Sequence, residues 1–290
     1  MGYFTGKRVF LVGGSEGIGR STAVALAGEG AHVVVAARRT EPLEETVAAM
    51  REASRSEQVL GFHSVDVTDR ASVKASVEPV TTQLGGLDVL VTNVGAARPG
   101  YVSELSDDDY DQMVAVNYMG HANVVRAYLP YLRSDVPGHR ADICLVSSAL
   151  GFMSMPGYSA YSASKFALAG FAESLRMEVA TDGVRVSLFY PGTTDTPGLK
   201  SENDAKPAAV WKMEADSAFS KTHAPDDVAR SILRAIERGR FENFPGSDVW
   251  FIWFMYKHFP GLSRYLADQE WLTALKKVAS DEGRTARSAE

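Results

Sequence analysis

The regular alternation of short apolar runs with longer amphipathic stretches constrains the fold of this chain more than any other feature. The apolar runs are rich in residues that favour strands, and the stretches between them have the periodicity of helices. Predicted strands cover residues 8–12, 32–37, 59–65, 87–92, 143–147 and 184–190, and predicted helices cover 18–28, 42–53, 71–84, 107–132 and 158–180. Strands separated by helices form βαβ units, so we predict an α/β fold with a parallel sheet.

The chain has the size and composition of one large domain. Its 290 residues are 45% hydrophobic, which suffices for a sizeable core, and no repeat or low-complexity linker divides them. We therefore predict a single domain over residues 1–290. Beyond the last predicted strand, residues 191–224 are rich in Gly, Pro, Thr, Asp and Lys and are too many for a simple connection. We predict that 191–224 is a substrate loop, followed by a helix over 225–238.

Charge and cysteine content narrow the possible partners and the compartment. Lys and Arg number 30 against 36 Asp and Glu, and the resulting net charge of −6 argues against nucleic acid as a partner. The single cysteine, Cys144, stands in an apolar run, so we expect a buried and reduced thiol. The first residues lack the features of a signal peptide, so we expect a cytoplasmic protein. We expect no metal site.

The C-terminal region, 248–280, contains an unusual aromatic run, VWFIWFMY at 249–256. It is too short to span a bilayer, which takes roughly 20 apolar residues. Two interpretations stay open. The run is either a buried helix or dimer contact, or an interfacial patch through which residues 249–259 touch a membrane surface from the cytoplasmic side.

A glycine-rich stretch, GGSEGIG at 13–19, lies between the first predicted strand and the first predicted helix. Gly13 can form the tight turn, Gly17 lets backbone N–H groups approach a pyrophosphate, and Gly19 permits close packing of helix on strand. The N-terminus of the helix favours the phosphate charge. This placement predicts a dinucleotide-binding site.

The end of the second strand indicates which dinucleotide is preferred. A carboxylate there would bind the ribose 2′-hydroxyl and repel a 2′-phosphate, but this chain has Arg38 and Arg39. Guanidinium groups suit phosphate, so we predict NADPH/NADP+ as the cofactor. The alternative is that both arginines are solvated surface charges, and Glu16 in the glycine loop is unexpected beside a 2′-phosphate.

A tyrosine and a lysine stand four residues apart on the helix predicted over 158–180. This spacing places the Tyr161 phenol beside the Lys165 ammonium on one face. A neighbouring cation stabilises a phenolate and lowers its pKa, which favours proton exchange with a substrate oxygen. Ser148, at the end of the preceding strand, could hydrogen-bond the same oxygen. The pattern predicts an acid/base site.

Together these motifs resemble the short-chain dehydrogenase/reductase family in order and spacing. They are Gly13-x-x-x-Gly17-x-Gly19, Asn93-x-Gly95, Asn117, Ser148, Tyr161-x-x-x-Lys165 and Pro191-Gly192. The resemblance covers residues 5–195. It implies a Rossmann-type, doubly wound parallel sheet of about seven strands, in three α/β/α layers.

The resemblance also implies roles for individual residues. Ser148 would orient the carbonyl, Tyr161 would be the acid/base, and Lys165 would contact the nicotinamide ribose and lower the pKa of the tyrosine. Asn117 would hold a water in a proton relay, and Thr196 would approach the carboxamide. The predicted cofactor site comprises Gly13, Ser15, Gly17, Ile18, Gly19, Arg38, Arg39, Asp66, Val67, Asn93, Gly95, Tyr161, Lys165, Pro191, Gly192, Thr194 and Thr196.

Two stretches resemble the branch of the family that reduces 3-ketodihydrosphingosine, a long-chain lipid ketone, to dihydrosphingosine with NADPH. They are YSAYSASKFA at 158–167 and YPGTTDTPG at 190–198, the latter followed by Glu202-Asn203 and Lys206-Pro207. The alternatives are another ketone, such as a steroid, retinoid or 3-oxoacyl group, and a catalytically silent NADPH-binding sensor or scaffold. Helices 107–132 and 158–180 resemble the family's dimer-forming pair and imply a homodimer or homotetramer.

Overall fold

The computed structural model describes residues 2–55, 57–132, 140–216 and 221–288. Within them, seven parallel strands form one sheet in the order β3-β2-β1-β4-β5-β6-β7. The strands are β1 Arg8–Val12, β2 His32–Ala37, β3 Leu60–Ser64, β4 Val89–Thr92, β5 Ala141–Val146, β6 Val184–Phe189 and β7 Glu242–Asn243. The strand order reverses direction between β1 and β4, which opens a crevice at the carboxyl ends of these strands. The doubly wound α/β fold is confirmed.

Helices cover both faces of the sheet and continue beyond it. They are α1 Gly17–Gly28, α2 Thr40–Ala53, α3 Arg70–Leu84, α4 Asp107–Val114, α5 Gly120–Leu132, α6 Ser159–Glu178, α7 Pro197–Asp204, α8 Ala208–Asp216, α9 Pro225–Arg238, α10 Ser247–His258 and α11 Pro260–Ser288. None of the helices in the described part of the chain has the length and apolarity needed to cross a membrane.

Two apolar layers hold the helices on the sheet. Successive residues of a strand point to opposite faces. Phe10 of β1 belongs to the layer shared with α3, α5 and α6, whereas Leu11 belongs to the layer shared with α1, α2 and α9. This alternation, repeated along the buried strands, produces the three-layer arrangement.

Cys144 lies in the middle of β5 and is completely buried, as predicted. Burial raises the pKa of its thiol to about 12. The thiol therefore stays protonated, and it packs as an apolar group of the core.

The helix predicted over 107–132 contains an irregularity. α4 and α5 are joined by a π-helical turn, Ala115–Met119, which carries Asn117. A π-turn inserts one extra residue, rotates the side chains around it and often occurs at functional sites.

The stretch 191–224 differs from the predicted loop because it contains α7 and α8. Thr196 caps α7 by accepting a hydrogen bond from the Leu199 backbone N–H at 3.2 Å, and Pro197 occupies the first turn. Residues 217–220 of the predicted loop lie outside the described residues. Two short helices, of 8 and 9 residues, thus account for about half of the predicted loop.

The aromatic run at 249–256 forms most of α10 and has two unlike faces. Val249 is buried, and the Trp253 ring lies 5.2 Å from that of Phe244 between centroids. Trp250 and Phe251 are 46% and 43% exposed. The helix therefore combines an inward face on the domain with an outward aromatic face.

Candidate active site

A cavity of about 1090 Å³ occupies the crevice at the carboxyl ends of the central strands. One part of its wall comes from the loops that follow β1, β2, β3 and β4, and a second part from the segments after β5 and β6. α6 contributes Tyr161 and Lys165, and Gln112 and Val116 lie on α4 and the turn after it. A further part comes from α7, α8, α10 and α11, which we call the substrate wall. Most predicted site residues line this cavity: Gly13, Ser15, Gly17, Ile18, Arg38, Asp66, Val67, Asn93, Gly95, Ser148, Tyr161, Lys165, Pro191, Gly192, Thr194 and Thr196.

Glycines permit the tight backbone of the loop after β1. Gly13 has a φ of +85°, and a Cβ there would lie 2.3 Å from the Asn93 carbonyl oxygen. A Cβ on Gly19 would lie 1.9 Å from the Gly13 carbonyl oxygen. Gly19 does not line the cavity but supports the turn from beneath. Asn93 Nδ2 donates to the Gly13 carbonyl at 3.2 Å and ties this turn to the end of β4.

The N-terminus of α1 is left open toward the cavity. Its N-cap residue, Glu16, makes no side-chain cap, whereas α3 and α4 are capped by Asp69 and Ser106. The first amides of α1 thus lack a side-chain acceptor and can receive a phosphate. With the glycine turn beside them, these residues fit the pyrophosphate of a nicotinamide dinucleotide.

The two arginines after β2 occupy different environments. Arg38 lines the cavity and acts on Asp66, where hydrogen bonds from Thr68 hold the pKa of the carboxyl below its usual range and the charge of Arg38 adds to the effect. Arg39 does not line the cavity, and its Nη2 lies 2.7 Å from Glu16 Oε1. The structure therefore separates a cavity-facing arginine from one engaged in an exposed ion pair.

Tyr161, Ser148 and Lys165 meet at the cavity surface. Ser148 is close enough to the Tyr161 phenol to lower the pKa of that phenol. Lys165 Nζ lies 5.8 Å from the centre of the Tyr161 ring and 3.5 Å from the Val146 carbonyl oxygen. α6 supplies the tyrosine and the lysine one turn apart, and the segment after β5 supplies the serine.

The pKa of Tyr161 differs from the sequence prediction. Burial raises it to about 12, and the nearby Glu202 carboxylate adds to the rise, while the hydrogen bond with Ser148 opposes it. Burial also lowers the pKa of Lys165 to about 7. In the protein alone, desolvation thus outweighs the stabilisation of the phenolate by the ammonium.

Asn117 lies behind the cavity wall rather than on it. Its Oδ1 accepts from the Ala96 N–H at 2.9 Å, and its Nδ2 donates to the Ala96 carbonyl at 2.9 Å and to Ser164 Oγ at 3.0 Å. The side chain thus joins the loop after β4 to α6. Its role in holding a water stays a prediction.

His121 is a supporting residue that the sequence analysis missed. It is fully buried, and its Nδ1 and Nε2 lie 2.7 Å from Thr92 Oγ1 and 2.8 Å from the Val94 carbonyl oxygen. Burial lowers its pKa to about 3, so the imidazole is neutral. Its position four residues after Asn117, on the same side of a helix, was the available signal.

A partly buried polar cluster where the start of α6 meets the substrate wall was also missed as a functional unit. It consists of Tyr158, Glu202, Lys206 and Glu214, all of which line the cavity. The Tyr158 hydroxyl donates to Glu202 Oε1. Lys206 Nζ lies 2.5 Å from Glu214 Oε2 and 3.8 Å from Glu202 Oε1. Three of these residues, Tyr158, Glu202 and Lys206, entered the sequence prediction only as part of a resemblance.

Comparisons with known proteins agree with this geometry. The model of the short chain dehydrogenase family matches residues 7–207. The chain is 36% identical to the 3-dehydrosphinganine reductase TSC10B of Arabidopsis thaliana, over 81% of this chain and 68% of that protein. It is 33% identical to the 3-ketodihydrosphingosine reductase of Mus musculus, over 85% of this chain and 73% of that protein.

A solved structure extends the similarity to the fold. A short chain dehydrogenase/reductase from Burkholderia phymatum, crystallised in complex with NAD, superposes with a TM-score of 0.78. The superposition covers 90% of this chain and 96% of that chain, at 25% identity. A share of 90% means that the similarity extends beyond residue 207.

Proposed function

The chain belongs to the short chain dehydrogenase family and is an oxidoreductase that acts on a ketone or alcohol, and from that premise we propose that it reduces 3-ketodihydrosphingosine to dihydrosphingosine with NADPH, in sphingolipid biosynthesis. The relatives from Arabidopsis thaliana and Mus musculus are named for this reaction and support the choice of substrate. The stretches at 158–167 and 190–198 point to the same branch of the family.

The observation that carries this proposal is the composition of the cavity. It joins the acid/base residue Tyr161 to apolar side chains of the substrate wall, among them Phe251, Ile252, Met255 and Leu266. A polar reacting centre beside an apolar channel suits a ketone that carries a long alkyl chain. Burial of each methylene of such a chain stabilises the complex by about 0.8 kcal/mol.

The arginines after β2 support NADPH over NADH. Arg38 faces the cavity, and no carboxylate stands at the end of β2 to repel a 2′-phosphate. Arg39 is held by Glu16, at 2.7 Å, and a phosphate would compete with that carboxylate for the guanidinium. We therefore assign the larger part of phosphate recognition to Arg38.

Reduction adds a hydride to the carbonyl carbon and a proton to the carbonyl oxygen, which yields a secondary alcohol. When bound, the dinucleotide supplies the hydride and is itself oxidised. Tyr161 Oη donates the proton, and Ser148, which lies beside Tyr161, orients the carbonyl oxygen. Lys165 holds the positive charge that stabilises the phenolate left behind.

The decisive experiment follows NADPH oxidation with 3-ketodihydrosphingosine beside a panel of steroid, retinoid and 3-oxoacyl ketones. We expect a kcat/KM at least tenfold higher for 3-ketodihydrosphingosine than for any other ketone. Turnover of a panel ketone without turnover of 3-ketodihydrosphingosine would show that the panel ketone is the substrate instead.

We propose further that the exposed face of α10 and the start of α11 contact the cytoplasmic surface of a membrane. Trp250, Phe251, Phe259, Leu262 and Leu266 are each between 43% and 50% exposed. Phe251 and Leu266 also line the cavity, so the cavity reaches the surface at this apolar face. A lipid could then enter the site directly from the bilayer.

We also propose that two copies associate through α5 and α6. Tyr131, Phe166 and Met177 lie on these helices and are 48%, 45% and 59% exposed, respectively. Burial of such side chains in an isologous contact would stabilise a dimer. Light scattering coupled to size-exclusion chromatography tests this, and a monomer at micromolar concentration would contradict it.

A further inference from the structure

We propose that Glu202 on the substrate wall binds the amino group of the substrate and selects amino ketones over plain ketones. The inference rests on the proposed function, because it concerns which features of a sphingoid ketone the site recognises. It assigns a specificity-determining residue outside the acid/base group of Ser148, Tyr161 and Lys165.

Glu202 lies beside the reacting centre. Tyr158 and Tyr161 are neighbours across one turn at the start of α6, with ring centroids 6.2 Å apart. The Tyr158 hydroxyl donates to Glu202 Oε1, and the charge of Glu202 acts on the Tyr161 phenol. α7 thus presents a carboxylate to the cavity near the proton-donating hydroxyl.

The carboxylate has capacity for a further donor. Oε1 takes the contacts with Tyr158 and Lys206, and within the described residues no hydrogen bond to Oε2 is found. Because the Glu202 side chain is 21% exposed and lines the cavity, a ligand can approach it. A carboxylate can accept about four hydrogen bonds in total.

The charges of the cluster do not cancel. Lys206, with a side chain only 1% exposed, is nearer to Glu214 at 2.5 Å than to Glu202 at 3.8 Å. Two carboxylates and one ammonium leave one negative charge at the cavity surface. A buried charge without an equivalent partner is costly, so the cluster is suited to receive one cation.

The substrate supplies such a cation at the required place. In a sphingoid ketone the amino group is on the carbon adjacent to the carbonyl carbon, so the ammonium and the carbonyl oxygen lie close together. A carbonyl bound to Tyr161 therefore brings the ammonium toward Tyr158 and Glu202. Burial raises the pKa of the Glu202 carboxyl in the protein alone, and a bound ammonium would counteract that rise.

A purely structural role for Glu202 makes a different prediction. The Tyr158 hydrogen bond and the Lys206 contact could simply fasten α7 to α6. Glu202→Gln retains the size of the side chain and a carbonyl oxygen that accepts from Tyr158, but it removes the charge. If fastening were the only role, Glu202→Gln would change kcat/KM by the same factor for amino ketones and for plain ketones.

The test compares two substrates on three proteins. The substrates are 3-ketodihydrosphingosine and the matched long-chain ketone in which hydrogen replaces the amino group. The proteins are the natural chain, Glu202→Gln and the control Asp204→Asn, which changes an exposed carboxylate on the same helix that does not line the cavity. NADPH binding by fluorescence and thermal unfolding verify that each variant is folded.

We expect Glu202→Gln to lower kcat/KM for the amino ketone about 10- to 100-fold, mainly through KM, because it removes a charge-assisted hydrogen bond. Its kcat/KM for the plain ketone should change less than threefold, and Asp204→Asn should alter neither. Equal losses on both ketones, or no loss on either, would overturn the inference but not the proposed function. Failure of the natural protein to reduce 3-ketodihydrosphingosine, with turnover of the plain ketone, would overturn the proposed function itself.

Discussion

The cofactor side and the substrate wall of the cavity are built in opposite ways. On the cofactor side, glycines such as Gly13 and Gly19 hold backbone groups at distances that no Cβ tolerates, and these groups, together with Arg38, would bind the dinucleotide. On the substrate wall, side chains of short or half-exposed helices, such as Glu202 and Phe251, line the cavity and would bind the proposed substrate. In the proposed function, a fixed backbone frame would thus bind most of the cofactor and replaceable side chains would bind the substrate, so specificity for the ketone could change without disturbance of the cofactor site.

The substitution Tyr161→Phe should separate catalysis from cofactor binding most clearly. The variant deletes only the hydroxyl, so it should lower kcat at least about 1000-fold while NADPH affinity changes less than twofold. Stopped-flow turnover and fluorescence titration of NADPH measure the two effects. Turnover within tenfold of the natural protein would exclude Tyr161 as the proton donor.

Gly19→Ala should break the cofactor side. Its Cβ would lie 1.9 Å from the Gly13 carbonyl oxygen, a backbone atom that cannot move aside. We expect a loss of about 2–3 kcal/mol in the free energy of unfolding, together with weaker NADPH binding. The control is Gly170→Ala in α6, because a Cβ at Gly170 meets nothing within 4 Å. This substitution should stabilise the helix by about 0.5–1 kcal/mol. Urea denaturation gives the free energy of unfolding of both variants. Equal values would contradict the close backbone packing at Gly19.

The buried Lys165 should give the cofactor side a pH-dependent stability. Its pKa is lowered from 10.5 to about 7 in the folded protein, so between these values the unfolded chain binds the extra proton and stability rises with pH. Relative to Lys165→Met, the natural protein should gain roughly 2 kcal/mol in the free energy of unfolding from pH 7 to pH 9. Urea titrations of both proteins measure this difference, and a constant or falling difference would contradict the burial of Lys165.

Arg38→Ala should distinguish the two arginines after β2. Because Arg38 faces the cavity and Arg39 is paired with Glu16 at 2.7 Å, we expect Arg38→Ala to raise KM for NADPH about tenfold with little change for NADH. Arg39→Ala should raise KM for NADPH about threefold or less. Steady-state kinetics with both dinucleotides measure this, and the reverse order would reassign the phosphate contact to Arg39.

The smallest expected effect concerns the outer face of the substrate wall. Replacement of Trp250 and Phe251 by Ser should weaken binding to anionic liposomes about three- to tenfold, because it removes two exposed aromatic rings from the interface. The control is Val102→Ser in the segment before α4, because Val102 is 70% exposed and lies outside α10 and the proposed dimer helices. Sedimentation with liposomes measures binding, and no difference between the two variants would contradict contact through α10.

The difference between the cofactor side and the substrate wall also explains which parts of the structure could be predicted from the sequence. The strands and the glycine turn were predicted well, because apolar runs and glycine spacing are local signals that reflect the buried sheet. β1 and β2 were predicted at their observed bounds, 8–12 and 32–37. The identity of the residues that meet at Tyr161 followed from motif order, which the topology converts into proximity.

β7 and the substrate wall were predicted poorly for physical reasons. β7 has only two residues, Glu242–Asn243, too few for a periodic pattern. α7 and α8 are eight and nine residues long and depend on tertiary contacts, so their polar, proline-containing sequence resembles a loop. The cluster around Glu202 joins α6, α7 and α8, and no spacing along the chain reveals that juxtaposition. The raised pKa of Tyr161 likewise depends on burial, which a helix spacing does not measure.

The sealed thiol in the middle of β5 has a practical consequence for studying this molecule. Maleimide dyes and nitroxide spin labels should leave the native protein unmodified, since Cys144 is the one cysteine of the chain and it is inaccessible and protonated. A cysteine introduced on α7 or α11 would then be the sole reactive handle. Fluorescence or spin-label measurements could then follow the movement of those helices during turnover without a background signal from Cys144.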